Sequence, residues 1–106
     1  MRKFIKNTRT ELNAVGRVGQ VVAENEIFEA IKRERQYQKK KGGLNNEYDV
    51  PGWILIMRQE LKEAEEIWVD NRGNIYALRK ILQVIAVGVA CLEQWGFFER
   101  EYILKD

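Results

Sequence analysis

Apolar residues recur at helical spacing in the first half of this 106-residue chain. Ile27 and Ile31 lie four residues apart with Phe28 beside them, in a segment rich in Glu, Lys, Arg and Ala. Side chains three and four residues apart share one face of an α-helix, and these residue types favour helix. The pattern predicts a first helix from about Gln20 to Lys41.

A loop and a second helix follow. Glycines, asparagines and the single proline of the chain mark the loop, from Gly42 to Pro51. Asp49 is suited to cap the next helix, because its carboxylate can accept a hydrogen bond from a free backbone N–H, and proline is tolerated in a first helical turn. The second helix is therefore predicted to run to about Val69.

A third helix is predicted from a cap at Asn74 to roughly Trp95, where Gly96 ends it. Its middle, ILQVIAVGVACL, is apolar on all sides, which places it at the centre of the fold. The segment FFEREYIL, residues 97–104, is predicted to form a short final helix. Because no alternating strand pattern occurs, the expected fold class is all-α, an antiparallel bundle of about four helices.

Residues 20–106 are predicted to form a single all-α domain, because no Ser/Gly-rich linker or repeat divides them. A chain of this length is expected to bury roughly 60 to 70% of its unfolded surface around one core. Residues 1–19 carry a weak amphipathic pattern that Gly16 and Gly19 interrupt. They are interpreted as an N-terminal arm or a short helix.

Composition removes several functional classes. The chain has no histidine, which excludes His-based acid–base catalysis, Ser/His and Cys/His nucleophile pairs and imidazole zinc sites. The 18 basic and 16 acidic residues give a net charge of +2, too small to argue for nucleic acid as a partner. The lone Cys91 lies in an apolar run and is interpreted as a core thiol of a reduced, intracellular protein.

No membrane association is expected. The N-terminal residues MRKFIKNTRTELN contain no apolar stretch long enough for a secretory signal. The most apolar segment, Ile81 to Leu92, falls short of the ~20 residues needed to span a bilayer. The sequence therefore predicts a soluble, cytoplasmic protein.

The second helix carries acidic residues on a face that should be buried. At the helical period, Glu60 lies between Ile56 and Ile67, and Glu63 borders the same apolar face, whereas Glu66 points away. A buried carboxylate is costly unless it is paired, hydrogen-bonded or bound to a cation. Two carboxylates one turn apart suit Mg²⁺, but an ion pair would satisfy them as well.

An ordered set of residues resembles the MazG-like branch of the all-α nucleoside triphosphate pyrophosphohydrolases. The resemblance covers residues 24–96 and rests on Glu34-Arg35-Gln36-Tyr37-Gln38, Gly42, Trp53, Glu60-Leu61-Lys62-Glu63-Ala64 and Leu82-Gln83-Val84-Ile85-Ala86-Val87. It implies a helical bundle, assembled as a homodimer or homotetramer. It also implies Mg²⁺-dependent cleavage of a nucleoside triphosphate to the monophosphate and pyrophosphate.

This chain departs from the metal-binding motifs of that family, which are EExxE on one helix and ExxD on the next. On alignment, EExxE begins at Gln59 and keeps only its second and third acids, Glu60 and Glu63, which the resemblance makes the metal ligands. The ExxD acids fall on Lys80 and Gln83, so both are lost. The second metal half-site is therefore degenerate.

The lost acids suggest an alternative in which Lys80 has replaced the metal. If the second and third helices form an antiparallel hairpin, Lys80 lies level with Glu63 and Gln83 lies level with Glu60. The ammonium would then supply the positive charge beside Glu63, and the Gln83 amide would donate to Glu60. The chain would be a catalytically inactive binding or scaffold protein.

If the chain is active, the resemblance assigns further roles. Glu34 is then the supporting carboxylate, and it joins Glu60 and Glu63 as a catalytic residue. Substrate-binding roles, toward the phosphates of a nucleoside triphosphate in particular, fall on Arg35, Gln38, Lys39, Lys80 and Gln83. The alternative for the first-helix residues is a solvated face with local Glu/Lys pairs.

Overall fold

The computed structural model describes residues 18–42, 47–70 and 73–101. They form three α-helices: α1, Glu24–Lys41; α2, Val50–Val69; and α3, Gly73–Trp95. These residues contain no strand. The all-α prediction is confirmed for the described residues.

The helix ends form where the sequence provides the chemistry for them. The Asp49 carboxylate accepts a hydrogen bond from the backbone N–H of Gly52 at 2.8 Å, and Pro51 lies in the first turn of α2. Gly42 ends α1 with φ of 79°, a left-handed conformation that costs other residues free energy. Gly96 ends α3, and its N–H donates to the carbonyl of Leu92 at 2.8 Å.

Two predicted helix starts were wrong in detail. α1 begins at Glu24 rather than at about Gln20. Asn74 lies inside the first turn of α3, and its side-chain oxygen accepts a hydrogen bond from the indole N–H of Trp68 at 3.0 Å. Asn74 therefore links the end of α2 to the start of α3.

The core lies between α2 and α3, which pack as an antiparallel hairpin. Trp53 is fully buried against Val87 and Ala90, and its indole N–H donates to Gln94 Oε1 at 2.9 Å. The other buried apolar residues are small and let the two helix backbones approach: Ala64, Ala77 and Ala86. The hairpin predicted for the second and third helices is thus found.

α1 packs on α3, so α3 lies at the centre, as predicted. Arg35 is the one buried residue of α1, and it is charged. The apolar side chains Ile27 and Phe28 of α1 remain exposed. Polar contacts therefore contribute much of what joins α1 to the hairpin.

The short final helix predicted for residues 97–104 is wrong over residues 97–101, which follow Gly96 without helical structure. Phe97 and Phe98 are exposed there. A short apolar segment forms a helix only where it packs against another surface, and these side chains have no such surface among the described residues. Residues 102–106 and most of the predicted arm, residues 1–17, lie outside the described residues. The described residues contain three of the roughly four helices predicted.

α3 is longer than its apolar middle suggested. It runs for 23 residues and, within the described parts of the chain, is the one helix long and apolar enough to cross a membrane by length and composition. Central helices of soluble proteins share these properties, so a single such helix is weak support for a membrane span. Ile81 and Ile85 of α3 are partly exposed, so the helix still has apolar surface to cover.

Candidate functional site

Lys80 bridges two carboxylates of the neighbouring helix. Its Nζ lies 2.9 Å from Glu60 Oε1 and 2.8 Å from Glu63 Oε1. The Lys80 side chain is only 18% exposed. Charge-assisted bonds of this length are strong, because both donor and acceptor are ionised. The predicted placement of Lys80 beside Glu63 is confirmed, and the ammonium also contacts Glu60.

The hairpin register produces this bridge. Glu60 and Glu63 are nearly one turn apart on α2, so their carboxylates project from the same side of the helix. Because α3 runs antiparallel to α2, Lys80 lies across from both. Gln59 donates from Nε2 to Glu63 Oε2 at 3.1 Å. Both oxygens of Glu63 therefore have a partner.

The protonation equilibria follow from these contacts. Hydrogen bonds from Lys80 and Gln59 hold the pKa of Glu63 below its usual value. Burial acts to lower the pKa of Lys80, but hydrogen bonds to Glu63 and Glu60 outweigh burial and raise that pKa above its ordinary value. Both shifts favour the charged forms, so the bridge is ionic at neutral pH.

A small cavity beside the bridge collects residues from all three helices. Its volume is about 240 Å³, and the described residues that line it are Glu34, Tyr37, Gln38, Lys41, Glu60, Gln83 and Val87. Four predicted site residues therefore lie together, although they come from helices far apart in sequence. The Lys41 ammonium lies 5.9 Å from the centre of the Tyr37 ring, within cation–π range.

Gln83 does not play its predicted role toward Glu60. The structure shows no hydrogen bond from the Gln83 amide to Glu60 in the described residues. The main-chain carbonyl of Gln83 instead accepts a hydrogen bond from Gln38 Nε2 at 3.4 Å. Lys80 already contacts Glu60 Oε1, so the carboxylate has its partner without the amide.

Glu34 and Gln38 form the α1 side of the cavity. Burial raises the pKa of Glu34, and the nearby Arg79 charge and a hydrogen bond from Gln38 offset part of that rise. Gln38 Oε1 is buried without a hydrogen-bond partner in the described residues. Gln38 thus carries a buried acceptor without a hydrogen bond, a state that costs free energy.

Arg35 and Lys39 were predicted to contact substrate phosphates, but the structure pairs both with Glu93. Arg35 donates to Glu93 Oε1 from Nε at 3.0 Å and from Nη2 at 2.8 Å. Lys39 Nζ lies 3.8 Å from Glu93 Oε2. Neither Arg35 nor Lys39 lines the cavity that Glu34 and Glu60 line. Arg35 is buried, so its contact with α3 is structural.

Glu93 was missed by reasoning from the sequence. It lies 58 residues from Arg35, near the end of an apolar helix, and no local pattern connects the two. A charged residue on an otherwise apolar stretch was the available signal, because such a residue needs a partner when its neighbours are buried. The identity of that partner depends on how α1 crosses α3.

The residues at the bridge do not fit the Mg²⁺ that the resemblance implies. Glu60 and Glu63 each direct an oxygen to an ammonium, which would repel a divalent cation at short range. Mg²⁺ also requires near-octahedral oxygen coordination. No group of three or more His, Cys, Asp or Glu side chains within 18–42, 47–70 and 73–101 could hold a metal ion.

The chain has no match among protein-family models, curated proteins or solved structures.

Proposed function

We propose that this chain is a MazG-like helical binding or scaffold protein in which the Lys80 ammonium takes the place of the metal. The observation that supports the proposal is the Lys80 bridge, with Glu60 and Glu63 both within hydrogen-bond distance of one Nζ. A fixed ammonium neutralises the carboxylates, as a bound cation would. It offers no exchangeable coordination site at which a water or a phosphate oxygen could be activated.

The shielding of the bridge strengthens this interpretation. Lys80 is mostly buried, so its departure would leave two carboxylates, nearly one turn apart on the same side of α2, without their cation. Like charges at that separation repel, and their desolvation adds to the cost. The bridge is therefore expected to persist when metal ions are present.

The test is calorimetric titration of metal-free protein with MgCl₂ and MnCl₂, with and without a non-hydrolysable nucleoside triphosphate analogue. The wild type is expected to give no metal-binding heat and no Mg²⁺-dependent release of pyrophosphate. Lys80→Glu combined with Gln83→Asp is expected to bind metal, because it replaces the ammonium by oxygen ligands. Lys62→Glu, an exposed lysine on α2, controls for added negative charge.

Two results would contradict the proposal. Metal-dependent pyrophosphate release by the wild type, abolished in Glu60→Gln and in Glu63→Gln, would show that Lys80 yields to the ion. Failure of the double variant to bind metal, while its far-ultraviolet circular dichroism stays native, would refute the equivalence of Lys80 with a metal ligand position.

The second candidate is Mg²⁺-dependent hydrolysis of a nucleoside triphosphate to the monophosphate and pyrophosphate. It is favoured by the cavity whose lining brings together Glu34 of α1, Glu60 of α2 and Lys41 of α1. Carboxylates can orient a water molecule, and a lysine can neutralise phosphate charge. This activity predicts that Glu34→Gln abolishes turnover while the fold is retained, and that Glu47→Gln, an exposed acid outside the cavity lining, does not.

A further inference from the structure

α2 carries an exposed stripe on its outer side. Large apolar side chains stand about half exposed or more along almost its whole length: Ile54, Leu55, Leu61, Trp68 and Val69. Ile54, Leu61 and Trp68 recur every seven residues, and Leu55 and Val69 are fourteen apart, which keeps them on one side of a helix. Arg58, Lys62 and Glu65 lie within the same stripe and are exposed. The stripe differs from the face of Glu60 and Glu63, which contacts Lys80.

The stripe continues onto α3 as an open groove. Leu61, Ala64 and Trp68 of α2 and Ala77 and Ile81 of α3 supply its apolar lining, with the three charged residues at its rim. The groove has a volume of about 630 Å³. Contiguous apolar surface of this kind marks an interaction site on a soluble protein.

The order of residues along the stripe is self-complementary. Arg58 and Glu65 lie at equal distances on either side of the midpoint between Leu61 and Lys62. If a second α2 packs antiparallel about a two-fold axis at that midpoint, each Arg58 meets Glu65 of the other copy. Ile54 then meets Val69, and Leu55 meets Trp68. An isologous interface requires this reciprocity.

We propose that this stripe is the interface of a homodimer with α2 packed antiparallel to α2. A second copy covers the apolar side chains and pairs Arg58 with Glu65. A lipid bilayer would remove water from these two charges and provide no partner for them. The stripe from Ile54 to Val69 is about 22 Å long at 1.5 Å per residue. With the α3 side of the groove, this length suits a standard interface of roughly 800 Å² per partner. The interface does not depend on the role proposed for Lys80.

Analytical ultracentrifugation of charge-reversal variants tests both the dimer and its register. The wild type is expected to sediment at twice the 12.5 kDa chain mass. Arg58→Glu or Glu65→Arg alone is expected to weaken dimerisation about tenfold, because the two-fold axis places two like-charged pairs in contact. Arg58→Glu with Glu65→Arg is expected to restore it. Glu66→Arg makes the same charge change outside the stripe and should leave the dimer unchanged.

Folding is monitored separately, since Arg58 and Glu65 are exposed and their reversal should leave helix content unaltered. The thermal midpoint of the wild type should rise with protein concentration, as it does for a protein stabilised by self-association. A monomer at every concentration, a double variant that is not rescued, or monomers that bind neutral phosphatidylcholine vesicles would overturn the proposal.

Discussion

Removing Glu93 should lower the free energy of unfolding more than removing its partner Arg35. The Arg35 side chain is 10% exposed and donates twice to Glu93 Oε1, whereas the Glu93 side chain is 40% exposed. Truncating Glu93 leaves a buried guanidinium without its counter-ion. Truncating Arg35 leaves a carboxylate that water reaches and that Lys39 still approaches at 3.8 Å.

These exposures set the expected magnitudes. Glu93→Ala should lower the free energy of unfolding by about 3 kcal/mol, because one buried charge loses its partner. Arg35 Nη1 already has no partner in the described residues, so little in the site can compensate. Arg35→Met should cost only about 1 to 2 kcal/mol, the value of the lost charge-assisted bonds, because methionine fills the volume of the arginine stem. The difference corresponds to roughly a tenfold change in the unfolding equilibrium.

Urea unfolding followed by circular dichroism measures both changes. Glu66→Ala removes an exposed acid from α2 and should shift the free energy of unfolding by less than about 0.5 kcal/mol. Equal costs for Arg35→Met and Glu93→Ala, or a larger cost for Arg35→Met, would refute the reasoning. Either result would mean that the pair contributes through packing of the arginine stem and not through the buried charge.

Two further predictions concern the hairpin. The pKa of Glu63 is lowered below the reference value of 4.5 and that of Lys80 is raised above 10.5, so the bridge stabilises the fold between these values. Its contribution should disappear as pH falls through the lowered pKa of Glu63 or rises through the raised pKa of Lys80. Chemical unfolding should therefore show a smaller difference in the free energy of unfolding between Lys80→Met and the wild type at acid pH than at neutral pH. An unchanged difference would contradict the shift at Glu63. Gly88→Ala should raise the free energy of unfolding by up to about 0.5 kcal/mol, because alanine favours the helix. The new Cβ would lie 3.3 Å from Met57 Cε, which is the end of a flexible side chain and can move. A lower thermal midpoint would mean that Met57 cannot move.

The helices could be predicted because their signals are local. Asp49 and Gly42 act through hydrogen bonds and backbone conformations within a few residues of themselves. The final helix failed for the opposite reason. Phe97 and Phe98 are apolar enough for a helix, yet both remain exposed, and a short helix without a packing surface is not stable.

The sequence could predict site contacts only within the α2–α3 hairpin. An antiparallel register is fixed by the length of the turn, so Lys80 could be placed beside Glu63 from residue numbers. Gln83 was predicted to donate to Glu60, but Lys80 contacts Glu60 instead. Arg35 and Lys39 depended on how α1 crosses α3, and the sequence carries no register for that crossing.

The sequence by itself determined the all-α class, the helix ends at Asp49 and Gly42 and the conflict of two carboxylates on a buried face, because each follows from residues a few positions apart. Only the tertiary structure decided that one ammonium satisfies both carboxylates, that Glu93 takes Arg35 and Lys39, and that the outer face of α2 stays uncovered. Those outcomes depend on distances between helices, and a lysine or arginine side chain is long enough to choose among several partners. Helix packing decides which partner each lysine or arginine pairs with, because a buried charge pairs with the opposite charge that the fold brings within about 3 Å.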